Sequence, residues 1–281
     1  MEKSRYLFKI FYIGKSKFYG SQRQPNLLTI EDCLLNALNE KKYIQNIRKS
    51  GFEVASRTDR YVSARGACFT AILDKEPILM EINSVLPVDI GIWAYAKVPL
   101  DFLSRYNAIM RHYIYLVPES LSQLQEISTI NIESIRRACS ALEGRHDFVN
   151  FSKREKNEVN TKRDMDSVNF TINNDFLIFQ FKSKAFLRQQ VRRMVKKILE
   201  LGRGVIDYDD FTQLFNPSKT YSYQPADPRG LILWDVLYDD RIKLIEDKKS
   251  KQRMETHFLQ KKDFFNFKYR LFNLLQHNNI G

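Results

Sequence analysis

Ser56, Arg57, Thr58 and Asp59 stand between two runs that read as strands, at about 51–57 and 63–73, and so occupy a tight connection. An Asp in such a turn commonly bonds its own backbone. Here Arg57 lies two residues before it, and a second cation, Arg192, is available on a basic helix further along. A nearby opposite charge favours the carboxylate form, which would suit Asp59 to nucleophilic attack or to charge stabilisation. A second constellation lies at 105–117, RYNAIMRHYIYLV. Strand alternation puts Arg111, Tyr113 and Tyr115 on one face, a mixture of cation and aromatic that suits base stacking. A structural aromatic strand with an exposed Arg is the competing reading.

Charge is concentrated rather than spread. The chain has 281 residues, 45 of them Lys or Arg and 33 Asp or Glu, for a net charge of +12. Residues 182–204 hold eight bases against one acid, and residues 241–281 hold ten against four, so the rest of the chain is slightly acidic. Localised basicity of this kind points to a phosphate-binding surface, with Lys184, Arg188, Arg193, Lys196 and Lys197 as candidate contacts beside Arg192. A solvated helix face is the alternative. Leu187, Val191, Met194, Val195, Ile198 and Leu201 recur at helical spacing and predict a helix over 186–201, with Arg188, Arg192 and Lys196 along one side. The second basic segment ends in DFFNFKYRLFNLL and predicts a helical tail whose aromatics pack back on the body.

Several common chemistries lack their residues. Gly14, Lys15 and Ser16 resemble the end of a P-loop, but the Gly required five positions earlier is Lys9. There is no GxGxxG after a strand, no GxSxG and no HExxH. His112, His146, His257 and His277 show no metal-ligand spacing, and Cys33, Cys68 and Cys139 are too few for a structural zinc site and read as reduced, buried side chains. No stretch approaches the ~18 apolar residues of a membrane span, and the first ten residues lack a signal-peptide core. The expectation is a cytoplasmic protein with no cofactor, no metal and no membrane.

The elements that must position these residues follow from pattern. With 43% hydrophobic residues the chain can bury a sizeable core in one large domain or two small ones. RYLFKIFYI reads as a buried strand, and Thr29 with Asp32 three positions on predicts a capped helix bearing Ile30, Leu34, Ala37 and Leu38. A short helix at 77–85 with Pro77 in its first turn and strands near 90–98 and 105–117 follow. Next come a helix at 132–143, a strand pair over 164–182 turning at Asn173, Asn174 and Asp175, helices at 186–201 and 207–215, and a strand at 230–238. The order predicts an α+β fold of two α/β halves, 1–104 and 105–240, on a mainly antiparallel sheet with a cleft at the join, followed by the extension 241–281.

At these residues the chain resembles the TruA family of tRNA pseudouridine synthases. YIGKSKFYGSQRQPNLLTIEDCLLNAL is similar to the family's YxGxxFxGxQxQ…TIE segment, SRTDRYVSA to its GRTDxGVHA box, and VPLDFLSRYNAIMRHYIY to its Tyr-bearing strand. GRHDFVNFSK, FLRQQVRRMV and RGLILWDVLY are similar to further elements in the same order, so the likeness runs over about 5–240. It implies the pseudouridine synthase fold: two α/β subdomains around a continuous, mainly antiparallel sheet with a basic cleft between them. It also implies a homodimer that acts without a cofactor on the anticodon arm of tRNA, at positions 38–40 by default and 27 or 28 as the competitor. By the resemblance Asp59 is the catalytic carboxylate, Arg192 its partner, Tyr113 the residue that stacks on the base, and Arg57 the wedge that fills the space the uridine leaves. Arg111 and the bases of 182–204 would contact RNA. Two other classes stay open, an idle RNA-binding or chaperone protein of the same fold and a different RNA-modifying enzyme such as a methyltransferase. Ser56 and Tyr61 stand where family glycines are common, and Ser63 where bacterial members have His. Tyr61 is expected to confine the loop to φ < 0 unless strained. Residues 241–281 show no counterpart in the family pattern.

Overall fold

β1 (Ser4–Tyr12) is buried from Arg5 onward, as a strand covered on both faces must be. In this computed structural model, which describes residues 3–127, 129–154 and 160–276, β1 lies between β3 (Ser63–Leu73) and β4 (Ile90–Val98), antiparallel to both. Tyr6, Phe8, Ile10 and Tyr12 join the main core under α1 (Ile30–Glu40), while Phe11 faces the other side. The Thr29 cap forms as expected: its side chain accepts from the Asp32 backbone, and the Asp32 carboxylate accepts from the Thr29 N–H. β2 (Glu53–Val54) pairs with β3 beside the main path of the sheet.

The second half contributes β5 (Met110–Ser120), α3 (Leu121–Ile127), α4 (Ile132–Leu142), β6 (Gly144–Asp147), β7 (Lys162–Asn173), β8 (Phe176–Ser183), α5 (Gln190–Gly202), α6 (Tyr208–Gln213) and β9 (Leu231–Leu237). With β10 (Ile245–Glu246), the ten strands among the described residues form one sheet, nine of them in the order β10-β4-β1-β3-β9-β5-β8-β7-β6 and β2 off that path beside β3. Every pairing is antiparallel except β3 with β9, which are parallel through Ser63–Ile232 and Ala64–Leu233. That pairing joins the halves, and the α+β, mainly antiparallel architecture is the one the sequence predicts. The β7–β8 hairpin turns on Asn174 and Asp175, both at positive φ, as a two-residue primed turn requires.

Boundaries moved where local chemistry overrode periodicity. α2 (Leu79–Asn83) starts two residues after Pro77, with Ile78 at its cap. β5 begins only at Met110, because residues 103–107 form a turn closed by the Asn107 side chain accepting from the Leu103 N–H. α5 begins at Gln190, not at 186: Gln189 sits at φ +59, and the Gln190 side chain accepts from the Leu187 N–H at 2.7 Å. Arg188 is therefore not on the helix, and it does not share a helical side with Arg192 and Lys196. Cys33, Cys68 and Cys139 are free and buried.

The tail departs most from expectation. α7 (Lys248–Gln276) is one long helix, and its first half covers the second face of the sheet, where Met254 and Phe258 pack on Phe11 and Trp93. The Asn83 side chain donates to Ser250 Oγ at 3.1 Å, tying α7 to α2. The aromatics beyond do not return to the body: Phe264, Phe265, Phe267, Tyr269 and Phe272 are all more than half exposed. Phe258 is the last aromatic of α7 that packs on the Phe11 and Trp93 cluster; His277 falls outside the described residues. A chain cut after Asp240 is expected to lose about 3–5 kcal/mol, since it uncovers Phe11 and Trp93, whereas a cut after Gln260 should cost little. Thermal unfolding of the two truncations checks this, and equal midpoints would overturn it.

Candidate active site

Parallel pairing sets the N-terminal ends of β3 and β9 side by side. The segments that precede them, 55–62 and 221–230, therefore meet at one end of the sheet. Asp59 lies in the first, and α5 runs past the second. The Arg192 guanidinium bridges them: Nη1 donates to Asp59 Oδ2 at 2.6 Å and Nε donates to the Ala226 carbonyl at 2.8 Å. The Arg192 carbonyl accepts from the Ala226 N–H in return. The Arg192 side chain is 9% exposed and that of Asp59 is 32%, so the cation is fixed inside while one edge of the carboxylate stays open to a ligand.

The loop that carries Asp59 is held from below. Thr58 accepts or donates at 2.7 Å to the Tyr12 hydroxyl, its N–H donates to Ser21 Oγ, and its carbonyl accepts from the Ser21 N–H. Gly20, at φ +87, brings its backbone so near the Thr58 carbonyl that a Cβ would sit 2.9 Å away. Tyr61 is the correction to the sequence expectation. It adopts the left-handed conformation, at φ +70, in place of the negative φ a bulky side chain prefers. Its carbonyl packs on Gly14, where any Cβ would lie 2.2 Å from it, so the backbone has no room to relax.

Behind the loop, Arg111, Tyr113 and Tyr115 do share one face of β5, and it is the buried face. Arg111 donates to Ser56 Oγ at 3.0 Å, to the Ala55 carbonyl at 2.9 Å, to the Arg105 carbonyl at 2.7 Å and to the Lys184 carbonyl. Burial draws its pKa downward, but each of its three guanidinium nitrogens is hydrogen-bonded. Its expected role as an RNA contact is therefore replaced by that of a tie between the Asp59 loop and the end of β8. Tyr113 stands in register with Leu233, which pairs with Ala64, and so lies across β9 from the base of the Asp59 loop. Its ring meets Phe186 edge-on at 5.0 Å, and its hydroxyl lies near Ser56 and within electrostatic range of Asp59. Burial pushes the phenol up to about 12. Tyr115 is spent on the second loop, donating to the Asp227 carbonyl at 3.0 Å.

The basic set divides. Arg57, Lys184 and Arg188 are exposed, and Lys196 is partly so while pairing Glu200 at 3.3 Å. Arg193 and Lys197 are not available to phosphates. Arg193 donates to the Tyr223 carbonyl and lies 4.0 Å over its ring, while Lys197 pairs Glu200 at 2.7 Å and also faces Tyr223. Both hold 221–227 against α5, an unforeseen function because a charge count does not show which cations lie beside an aromatic. Phe18 is core, whereas Tyr19 is partly exposed. Phe186 and Tyr223 are contributors that motif reading did not single out, while Ser56 and Thr58 stood in the SRTD motif without a role of their own. Among the described residues no cluster of His, Cys, Asp and Glu could hold a metal, and no helix is long and apolar enough to cross a membrane.

Comparison with known proteins places this geometry. A family profile described as tRNA pseudouridine synthase matches residues 138–239. The chain is 36% identical to tRNA pseudouridine synthase A of Methanosphaera stadtmanae, over 92% of each protein. The chain belongs to the tRNA pseudouridine synthase A family. Similarity to the synthase A of Methanosarcina mazei is 34% over 89% of this chain and 90% of that one, and to the synthase A of Archaeoglobus fulgidus 34% over 99% of each. The last match spans nearly all of 241–281, so the extension does have a counterpart in a family member. The family is one of isomerases that act on tRNA, and the open α+β sheet suits its fold.

Proposed function

We propose that the protein converts uridine to pseudouridine in the anticodon arm of tRNA, at positions 38–40, with Asp59 as the catalytic carboxylate and without a cofactor. The observation that carries the reading is the 2.6 Å pair between a one-third exposed Asp59 and a buried Arg192 contributed by the other half of the sheet. The reaction breaks N1–C1′, turns the uracil, joins C5 to C1′ and returns the C5 proton to solvent, N1 gaining one in exchange. It needs neither redox nor phosphoryl energy. A carboxylate beside C1′ can attack it or stabilise positive charge there, and Arg192, anchored on Ala226, keeps that carboxylate in one place. The uridine must leave the stack to reach it, and exposed Arg57 next to the loop is the group to fill the gap. Lys184, Arg188 and Lys196 would hold phosphates without reading sequence.

Tyr113 and Phe186 form the wall on which the detached uracil turns. Because burial holds its proton to about 12, Tyr113 meets the substrate as a neutral phenol across the neutral range. Tyr113→Phe is expected to slow single-turnover isomerisation by roughly 10- to 100-fold without altering the shape of the pH profile below about pH 9, and Tyr113→Leu to slow it further. Full rate in the Leu variant would remove β5 from the reacting uracil. The function itself is tested by uridine-specific chemical mapping of an unmodified tRNA transcript after incubation with the pure protein. Pseudouridine at 38–40 is the expected product; pseudouridine at 27 or 28 would replace the position, and binding without any would make the protein an idle RNA binder. Light scattering of the same sample distinguishes the implied homodimer from a monomer.

A further inference from the structure

Beside Asp59 lies a feature that catalysis by Asp59, Arg192 and Tyr113 does not use. The Arg60 guanidinium lies over two aromatic rings, 4.0 Å from the centroid of Tyr19 and 4.9 Å from that of Tyr61. Its Nη2 donates to the Ser16 carbonyl at 2.6 Å, which fixes the plane of the fork, and its Nε is buried without a partner. Tyr19 keeps 36% of its surface exposed. Tyr61 stands within electrostatic range of Arg229, on the loop whose Asp227 and Ala226 hold Tyr115 and Arg192. The group thus borders the join between the halves, next to Asp59 in the chain.

Tyr61 is in the conformation that glycine adopts freely and a bulky residue does not. Such strain persists where the surroundings over-determine it, and it gathers at ligand sites. The backbone of this turn needs no ring, so whatever the ring supplies lies outside the turn. Two aromatic rings packed with a guanidinium make a cationic, sequence-tolerant surface, the chemistry that nucleobases recognise. When a uridine is extruded, its neighbour in the strand loses one stacking face, and a platform next to the catalytic loop can replace it.

We infer that Tyr19, Arg60 and Tyr61 form a nucleobase-stacking subsite that takes the base adjoining the extruded uridine, an inference that rests on the reading of Asp59 as the residue acting on an RNA uridine. The test is a cycle in the Asp59→Asn background, so that binding is measured without turnover. The probes are an anticodon-arm hairpin carrying one uridine at the modified position and the same hairpin made abasic on its 5′ or its 3′ side. With Tyr61 present, loss of one of the two neighbouring bases should weaken binding roughly five- to tenfold. Tyr61→Phe should keep that sensitivity, and Tyr61→Gly should lose it while raising the unfolding midpoint, because the strain is relieved. Tyr61→Asn, which tolerates the same backbone without a ring, should behave as the Gly variant does and serves if glycine loosens the loop. Abasic penalties equal in the Tyr, Gly and Asn proteins, or absent from all of them, would overturn the subsite. The chain with Asp59 intact, given the unaltered hairpin, separates the two claims. Pseudouridine without the coupling removes the subsite alone, and the coupling without pseudouridine removes the catalytic reading alone.

Discussion

Asp59→Asn is expected to lower pseudouridine formation by about 10⁴-fold or more while changing tRNA affinity little. The amide keeps the volume of the side chain and one oxygen for Arg192, whose second anchor on the Ala226 carbonyl is untouched. On the proposed reading, what disappears is the negative charge that would stand beside C1′, which no neighbouring group among the described residues replaces. Arg57, Arg60 and Arg192 are cations, Tyr113 stays protonated up to about 12, and Asp227 is turned to Arg229. Single-turnover rates and filter-binding constants on the same transcript give the two halves of the expectation. Ordinary turnover by the Asn variant would dismiss Asp59, and a matching loss of affinity would make it a binding group instead.

How far this site was legible in the sequence depended on the range of the interaction. SRTD could be placed in a connection because the strands on either side alternate and the turn residues cluster, both local signals. The same held for the Thr29 cap and the 173–175 turn. Nothing local tells that β9 returns to lie parallel beside β3, yet that pairing brings 221–230 against 55–62 and makes Arg192 the partner of Asp59. The resemblance supplied Arg192 as the partner of Asp59, but not the parallel strands that bring the two together; composition and spacing supplied a basic helix with Arg192 on it. Legibility failed in the opposite direction for Arg111, Arg193 and Lys197. A cation counted along the chain looks available, but Arg111 faces four acceptors inside the protein, and the other two lie against Tyr223. The tail failed for a third reason. Aromatic content predicts burial, and α7 buries its first half, but a helix of 29 residues is about 43 Å long, and Phe258 is its last aromatic to pack on the Phe11 and Trp93 cluster.

Arg192 carries the second large effect, because it serves both the charge and the geometry. Arg192→Lys retains the cation but cannot span Asp59 and the Ala226 carbonyl with a rigid fork. It is expected to slow isomerisation by about 10²-fold with nearly normal stability. Arg192→Met removes both hydrogen bonds. It should cost about 10³-fold or more in rate and about 1–3 kcal/mol in stability, less than a fully buried pair would lose because Asp59 is 32% exposed and can be solvated. Residues that act as one unit are not additive. The Asp59→Asn, Arg192→Met double variant should therefore be scarcely slower than Asp59→Asn alone, since the guanidinium assists catalysis through the carboxylate it holds. Its stability should lie close to that of Arg192→Met or above it, because no carboxylate is then left without its cation. If the two effects on rate instead multiply, Arg192 acts on the RNA directly, as one more phosphate-binding cation. The salt dependence of binding then becomes the deciding measurement: its slope falls by about one for each phosphate no longer neutralised, and it stays unchanged if Arg192 works only on Asp59.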